Sequence, residues 1–333
     1  MKISRPMQVK RKLAIAIAFV SVEQLANSTD TVLGACASSH YEVRAIPFIP
    51  SAINDSGKVV GKTIFHHPAT WTVHAGVKEL ATPASFHFAE AVGINNSDEI
   101  IVNATDAEGS KHQAFIYSRG RFVALPGTQA IARGINDSHV IVGEAIGAGE
   151  TTPKAVTWRN GALNPISTCC GSTMKAINKS GQMVGDRYDT SGRYHAFLRG
   201  PDQELNSIGP EDRYSSAIAI NDAGHVLLQA FPDVYLYSSE GLESIKMSKF
   251  LNGPHALSNC DVILGSFGPY SDKDRAFIWD KTRGFQDLND LIPANSAWKL
   301  EAAVGINSHG EIIGRGDYRE GDDQGFLLIP TSD

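Results

Sequence analysis

Three side chains able to carry charge, Arg133, Lys175 and His255, stand at one register of a recurring phrase, three residues before its asparagine or serine ("RGIND", "KAINK", "HALSN"). In the other copies that position holds Ser51, Val92, Ile218 and Val304. A position that varies freely inside a fixed frame can carry a ligand contact without disturbing the fold. All three are therefore expected to project from an innermost strand toward a central channel. Tyr214 and Trp298 lie in long polar segments, where an aromatic ring with a polar tip suits sugar rings or peptides. These five residues are the expected ligand contacts.

Other reactive groups form weaker patterns. "FHH" (65–67) with His87 has histidines but no spaced carboxylate, so no metal is expected there. The "NDSG" turns lack the alternating carboxylates of a calcium loop. "RGD" (315–317) is expected to be a chance tripeptide. Cys169 and Cys170 are adjacent, with Cα atoms about 3.8 Å apart, below the usual disulfide span, so a bridge between them would be strained. With Cys36 and Cys260 they make neither a disulfide framework nor a zinc pattern. The chain has no G-x-S-x-G, no H-E-x-x-H and no phosphate loop. No catalytic residue and no cofactor is assigned. A net charge of −6 and a pI of about 6.0 give no basic surface for nucleic acid.

The phrase that frames these residues occurs seven times. Aligned on Asn54, Asn95, Asn136, Asn178, Asn221, Ser258 and Asn307, its copies are 41, 41, 42, 43, 37 and 49 residues apart. A period near 40 without a helical pattern indicates a β-propeller. Each phrase reads as strand, tight turn, strand, with the asparagine folding onto the following backbone as an Asx-turn. Three residues later come only Gly, Asp or His: Gly57, Asp98, His139, Gly181, Gly224, Asp261 and Gly310. That restriction predicts a left-handed residue there. A third strand ("ATW", "QAFIY", "HAFLR", "RAFIW") and a fourth ("GVKEL", "GRFVALP") complete a four-stranded blade.

The set "YHAFLRG" and "INxSGxxVG" resembles the HAF repeat proteins, over about residues 50–330. The resemblance implies a propeller-like extracellular repeat protein without a settled activity. Only His195-Ala196-Phe197 is literal; Gln113, Lys154 and Arg275 replace the histidine elsewhere, so His195 is expected to be an ordinary blade-edge residue.

The seventh copy stops after its third strand, whereas "YEVRAIPFIP" (41–50) is a β-like run before the first. That run is expected to supply the missing fourth strand and close the ring, so that deleting residues 41–49 would bare an edge. At the N-terminus, "MKISRPMQVKRK" and then "LAIAIAFVSV" have the layout of a secretory signal. "ANS" (26–28) and "ACA" (35–37) offer two cleavage sites, and "LGAC" (33–36) is set apart from the apolar run as a lipoprotein box would not be. The expected organisation is a leader over 1–40 and one seven-bladed propeller over 41–333, exported, monomeric and without a transmembrane anchor. Its expected function is non-enzymatic binding of a glycan, small molecule or protein. The alternative is a propeller enzyme, a lyase or glycoside-active protein, with its site at the channel mouth. The long connections, such as "NATDAEGSKH" (103–112) and "DLIPANSAWKLEA" (290–302), all emerge at one end of the ring, and that end is the expected binding face.

Overall fold

A computed structural model of the chain describes residues 37–166, 171–200, 204–247, 251–268, 274–319, 321 and 323–331. The leader, Cys36, Cys169 and Cys170 lie outside the described residues. The described chain forms seven antiparallel sheets of four strands each. Blade 1 runs Ile49–Ile53, Val59–Lys62, Pro68–Thr72 and Gly76–Glu79 from the channel outward. Blades 2 to 6 repeat that order, and blade 7 starts with the inner strand Trp298–Ile306. Asn307 of blade 7 bonds to Asn54 of blade 1, so the ring is closed. The protein is a seven-bladed β-propeller. No described helix is long and apolar enough to cross a membrane.

Blade packing follows from alternation along each strand. Every second strand residue turns to the neighbouring blade, and the buried apolar side chains gather into seven clusters. One cluster joins Ile101 and Ala114 of blade 2 to Ala132, Val156 and Trp158 of blade 3. Each blade thus covers its apolar face only by having a neighbour, as repeat architectures require.

The turn after each repeated asparagine has the predicted handedness in all seven copies. Gly57, Asp98, His139, Gly181, Gly224, Asp261 and Gly310 have φ of 74°, 62°, 60°, 87°, 83°, 60° and 75°. The asparagine oxygen accepts from the backbone as an Asx-turn: Asn136 Oδ1 takes Ser138 N at 3.1 Å and Val140 N at 3.0 Å. Its amide does something the local sequence does not announce. Asn54 Nδ2 donates to Asn95 O at 3.2 Å, Asn95 to Asn136 O at 3.2 Å, and Asn136 to Asn178 O at 3.0 Å. Asn178 donates to Asn221 O at 2.9 Å, Asn221 to Ser258 O at 3.0 Å, and Asn307 to Asn54 O at 3.2 Å. These buried asparagines form a one-directional clasp around the ring.

Ser258 interrupts it. Its hydroxyl accepts from Cys260 N and Val262 N, as an asparagine would, but it has no amide to send to Asn307. S258N is therefore expected to complete the circle. One net hydrogen bond contributes about 1 kcal/mol, which raises the melting temperature by about 2 °C in a chain of this size. Calorimetry would read the shift; a lower melting temperature would show that the site cannot take the amide.

Ring closure is also as read. Strand Tyr41–Ile46 pairs antiparallel with the last strand, Asp323–Pro330, from Tyr41 opposite Pro330 to Ile46 opposite Gly325. It is the outermost strand of blade 7, and Tyr41 and Ile46 are buried. Ile49 and Pro50, the last two residues of the run, belong instead to the inner strand of blade 1.

Candidate functional site

Strand direction gives the ring two ends. The turns that carry the asparagine clasp leave by the short-turn end. Connections between second and third strands, and from blade to blade, leave by the long-loop end.

The position that varies freely has a structural cause. In every blade the inner hairpin changes register around it, between Pro50 and Ala52, Ala91 and Gly93, Ala132 and Gly134, Met174 and Ala176, Ala217 and Ala219, Pro254 and Ala256, and Ala303 and Gly305. Ser51, Val92, Arg133, Lys175, Ile218, His255 and Val304 are thus β-bulge residues. A bulge leaves one residue out of the ladder and re-aims its side chain, which frees its identity.

Arg133, Lys175 and His255 each meet the residue eight positions after the repeated asparagine or serine. Arg133 Nη2 lies 2.6 Å from Glu144 Oε1, Lys175 Nζ 2.5 Å from Asp186 Oδ2, and His255 Nε2 3.1 Å from Ser266 Oγ. Asp186 also accepts from Ala217 N, and Lys175 donates to Ser216 Oγ, tying blade 4 to blade 5. The His255 ring has solvent access but is largely surrounded by protein. That desolvation, with a smaller push from Arg315, holds its imidazole below the usual range. Sequence reading missed the partners Glu144, Asp186 and Ser266. Their shared offset from the repeat was the available signal.

Tyr214 and Trp298 sit at the long-loop end. Tyr214 is 52% exposed, with its ring centroid 5.1 Å from Tyr194, which in turn lies 6.3 Å from Tyr188. Trp298 is half-buried, 5.2 Å from Tyr318 and edge-on to Phe326 at 6.1 Å, so it both packs on the blade 7 core and shows a face to solvent. The five expected contacts are therefore spread round the ring, on blades 3, 4, 6 and 7 and on the connection between blades 4 and 5, and the three polar ones are already engaged by neighbouring side chains.

Two clefts open at the long-loop end, one on blade 7 and one where blade 7 meets blade 1. One cleft of about 490 Å³ is lined by Trp298, Lys299, Asp317 and Arg319. A second of about 610 Å³ is lined by Lys62, Ile64, His66, Asp317 and Asp323. Asp317 is buried and shared by both. Ile64 and Phe65 stand beside the second cleft 75% and 69% exposed, a large apolar area for a free surface. Arg319 covers the Tyr318 ring at 4.9 Å. Carboxylate oxygens of Glu301, Asp317 and Asp323 lie within 4.8 Å of one another, and Arg315 Nη1 reaches Glu301 at 3.4 Å and Asp323 at 3.2 Å. That guanidinium meets the charge of the acidic group from within the chain. The "RGD" tripeptide falls in strand Ile312–Tyr318 with Asp317 buried, not on a displayed loop.

Of the adjacent histidines, His67 Nδ1 pairs with Glu79, while the His66 ring packs edge-on to Phe88 at 5.6 Å. His195 Nε2 meets Asp189 at 3.2 Å at the edge of blade 4. Cys260 departs from the sequence reading, which assigned no disulfide: it is disulfide-bonded.

No family model matches the chain, and no curated protein matches it. Solved structures do. A catalytically inactive variant of virginiamycin B lyase from Staphylococcus aureus with quinupristin is similar at TM-score 0.56 and 10% identity, over 87% of this chain and 100% of that one. YCF48 bound to D1 peptide is similar at TM-score 0.56 and 10% identity, over 90% and 99%. The β-propeller domain of the Trilobed protease from Pyrococcus furiosus is similar at TM-score 0.51 and 13% identity, over 72% and 83%. At such identities the likeness is one of fold.

Proposed function

We propose that this chain is an exported, HAF-type binding protein that seats its ligand at the long-loop end, across the seam between blades 7 and 1. The observation that carries the reading is the pair of clefts meeting at Asp317, flanked by the Trp298–Tyr318 rings and by exposed Ile64 and Phe65. Loops held by a rigid scaffold are where binding is placed. An aromatic wall, a carboxylate between the clefts and cationic groups at Lys299 and Arg319 suit a polar, ring-bearing ligand, of which a glycan is the first to test. The peptide and the quinupristin held by two structural neighbours show that propellers accommodate such ligands, and fold alone does not choose among them. Arg133 and Lys175 are already matched by Glu144 and Asp186, which supports seating the ligand on the loop face rather than on these cations.

A glycan and peptide array probed with the exported protein tests the reading. For any hit, W298A is expected to weaken binding about 30-fold, the size of an aromatic hot spot of about 2 kcal/mol. R319A is expected to weaken it several-fold with the melting temperature unmoved, as for other surface substitutions. Hits that are unaffected by both, or that map to the short-turn end, would refute the assignment of the face.

The acidic group at Glu301, Asp317 and Asp323 favours one second reading, a glycoside-active or lyase propeller, because paired carboxylates this close can divide acid and base roles. Turnover of an array hit, abolished by D323N, would replace the first reading with this one.

A further inference from the structure

We infer that the three exposed tyrosines where blade 4 meets blade 5 form a second seat on the long-loop end, one that takes a proline-rich peptide with a basic residue beside its prolines. The seat uses none of the residues at the seam between blades 7 and 1. It therefore goes beyond the binding reading above, and either can fail without the other.

The rings are placed by strands rather than by a free loop. Tyr188 ends the second strand of blade 4, Met183–Tyr188, and Tyr194 opens the third, Tyr194–Arg199. The two stand directly opposite each other in the ladder, so both rings lie on one face of the sheet. Tyr214 comes from the next blade, just before its inner strand, Ser216–Ile220. Ser215 fixes it there. The Ser215 backbone N donates to Tyr194 O at 3.2 Å, and its buried hydroxyl accepts from Ala196 N at 3.0 Å. Gly209 makes room for that hydroxyl, since a Cβ at Gly209 would stand 2.1 Å from Ser215 Oγ.

The rings so held are open to solvent. Tyr188 is 49% and Tyr194 39% exposed, beside the still more exposed Tyr214. A single exposed aromatic is ordinary, but three in contact across two blades make a contiguous patch, and such patches mark interaction sites.

Ring angle favours one kind of occupant. Tyr188 and Tyr194 are inclined at 79°, and Tyr194 and Tyr214 at 39°. Coplanar rings would offer a flat platform on which a sugar face can stack. Inclined rings leave furrows between them, and a ridged rod fits furrows. A polyproline II helix is such a rod. It rises about 3.1 Å per residue, so residues two apart stand about 6 Å apart along it, close to the step from ring to ring. It has no internal hydrogen bonds, so its carbonyls are free to accept from tyrosine hydroxyls. It is also extended before it binds, so docking costs little further ordering.

Charge selects what flanks the prolines. Arg213 is engaged by Asp212 at 3.4 Å and Asp233 at 3.1 Å, and Arg193 by Asp189 at 3.3 Å. Arg187 turns to Ser207 on the outermost strand of blade 4. Asp212 and Asp233 thus share one guanidinium. Glu211, three residues before Tyr214, is exposed, and no described cation meets it. The surplus beside the rings is negative, which a lysine or arginine next to the prolines complements.

The test is calorimetric titration of the folded protein with a decaproline peptide carrying an arginine at each end. Saturable binding is expected, and none with a control in which glycine and serine replace the prolines. Y194A and Y214A should each weaken binding about tenfold, the scale of an interface aromatic, with folding checked by thermal melt. E211K should weaken it more at low salt than at high salt. W298A should leave it unchanged, which separates this seat from the seam; a proline-rich array hit is assigned by Y194A and W298A before it counts for or against the seam. A peptide that does not bind, that binds Y194A and Y214A as well as the unaltered protein, or that binds no better than the glycine–serine control would overturn the inference. So would binding of cellohexaose that Y194A abolishes, which would make the tyrosines a sugar platform.

Discussion

A chain shortened to begin after Ile46 is expected to lose cooperative melting and to self-associate. The truncation removes the outermost strand of blade 7 and with it buried Tyr41 and Ile46. Burial of two large side chains contributes about 1.5–3 kcal/mol each. The ladder with Asp323–Pro330 goes as well, and so does the cover over Phe326, Leu327 and Leu328, all three fully buried. The sum is comparable to the whole net stability of a domain, about 5–15 kcal/mol. The survivors would present Asp323–Pro330 as a bare apolar edge, which templates pairing with other chains. Size-exclusion chromatography with a thermal melt reads both effects. A truncated chain that stays monomeric with its melting temperature intact would show that blade 7 does not depend on this strand.

The second large effect is expected from Asn136→Ala. Three hydrogen bonds end at that side chain, two into its oxygen and one from its amide to blade 4. Alanine leaves Val140 N, in a buried residue, without its acceptor and opens one link of the clasp. At about 1 kcal/mol for each bond, the loss should come to about 3 kcal/mol. Asn136→Asp separates the contributions: it keeps the oxygen that accepts from Ser138 and Val140 but cannot donate to Asn178, and it brings a negative carboxylate against that carbonyl. Urea titration of both variants supplies the measurement. If alanine costs less than about 1 kcal/mol, solvent replaces the clasp and the ring owes little to it.

These effects mark what the amino-acid order announces and what it hides. The seven copies, the strand–turn–strand reading of each and the left-handed residue after the turn depend on neighbours a few positions apart, and all were legible. Ring closure was legible because the two chain ends each carried part of one blade. The clasp was half legible. The oxygen of each asparagine serves its own turn, a local relation, while the amide serves a blade some forty residues away. The bulge was hidden for a related reason: Arg133, Lys175 and His255 vary because they fall out of register, and register is a property of two strands. Their partners Glu144, Asp186 and Ser266 follow only once the hairpin is folded. The cleft at the blade 7–blade 1 seam joins residues far apart in the chain, Lys62 with Asp323, which no window of sequence places together.

Pairing of Tyr41 with Pro330 also sets an order in time. The first strand of the ring to be synthesised is the last that can find its place, because its partner is not made until almost the whole chain is out. Until then Tyr41–Ile46 is an unpaired strand beside six blades that can already stack, each from contacts close in sequence. Closing the circle is the longest-range step of folding and the slowest that topology imposes. A nascent chain of this design is therefore most vulnerable just before completion, with one open edge at each terminus. The two edges fit each other, so a pair of unfinished rings at high concentration can exchange strands as readily as each can close on itself.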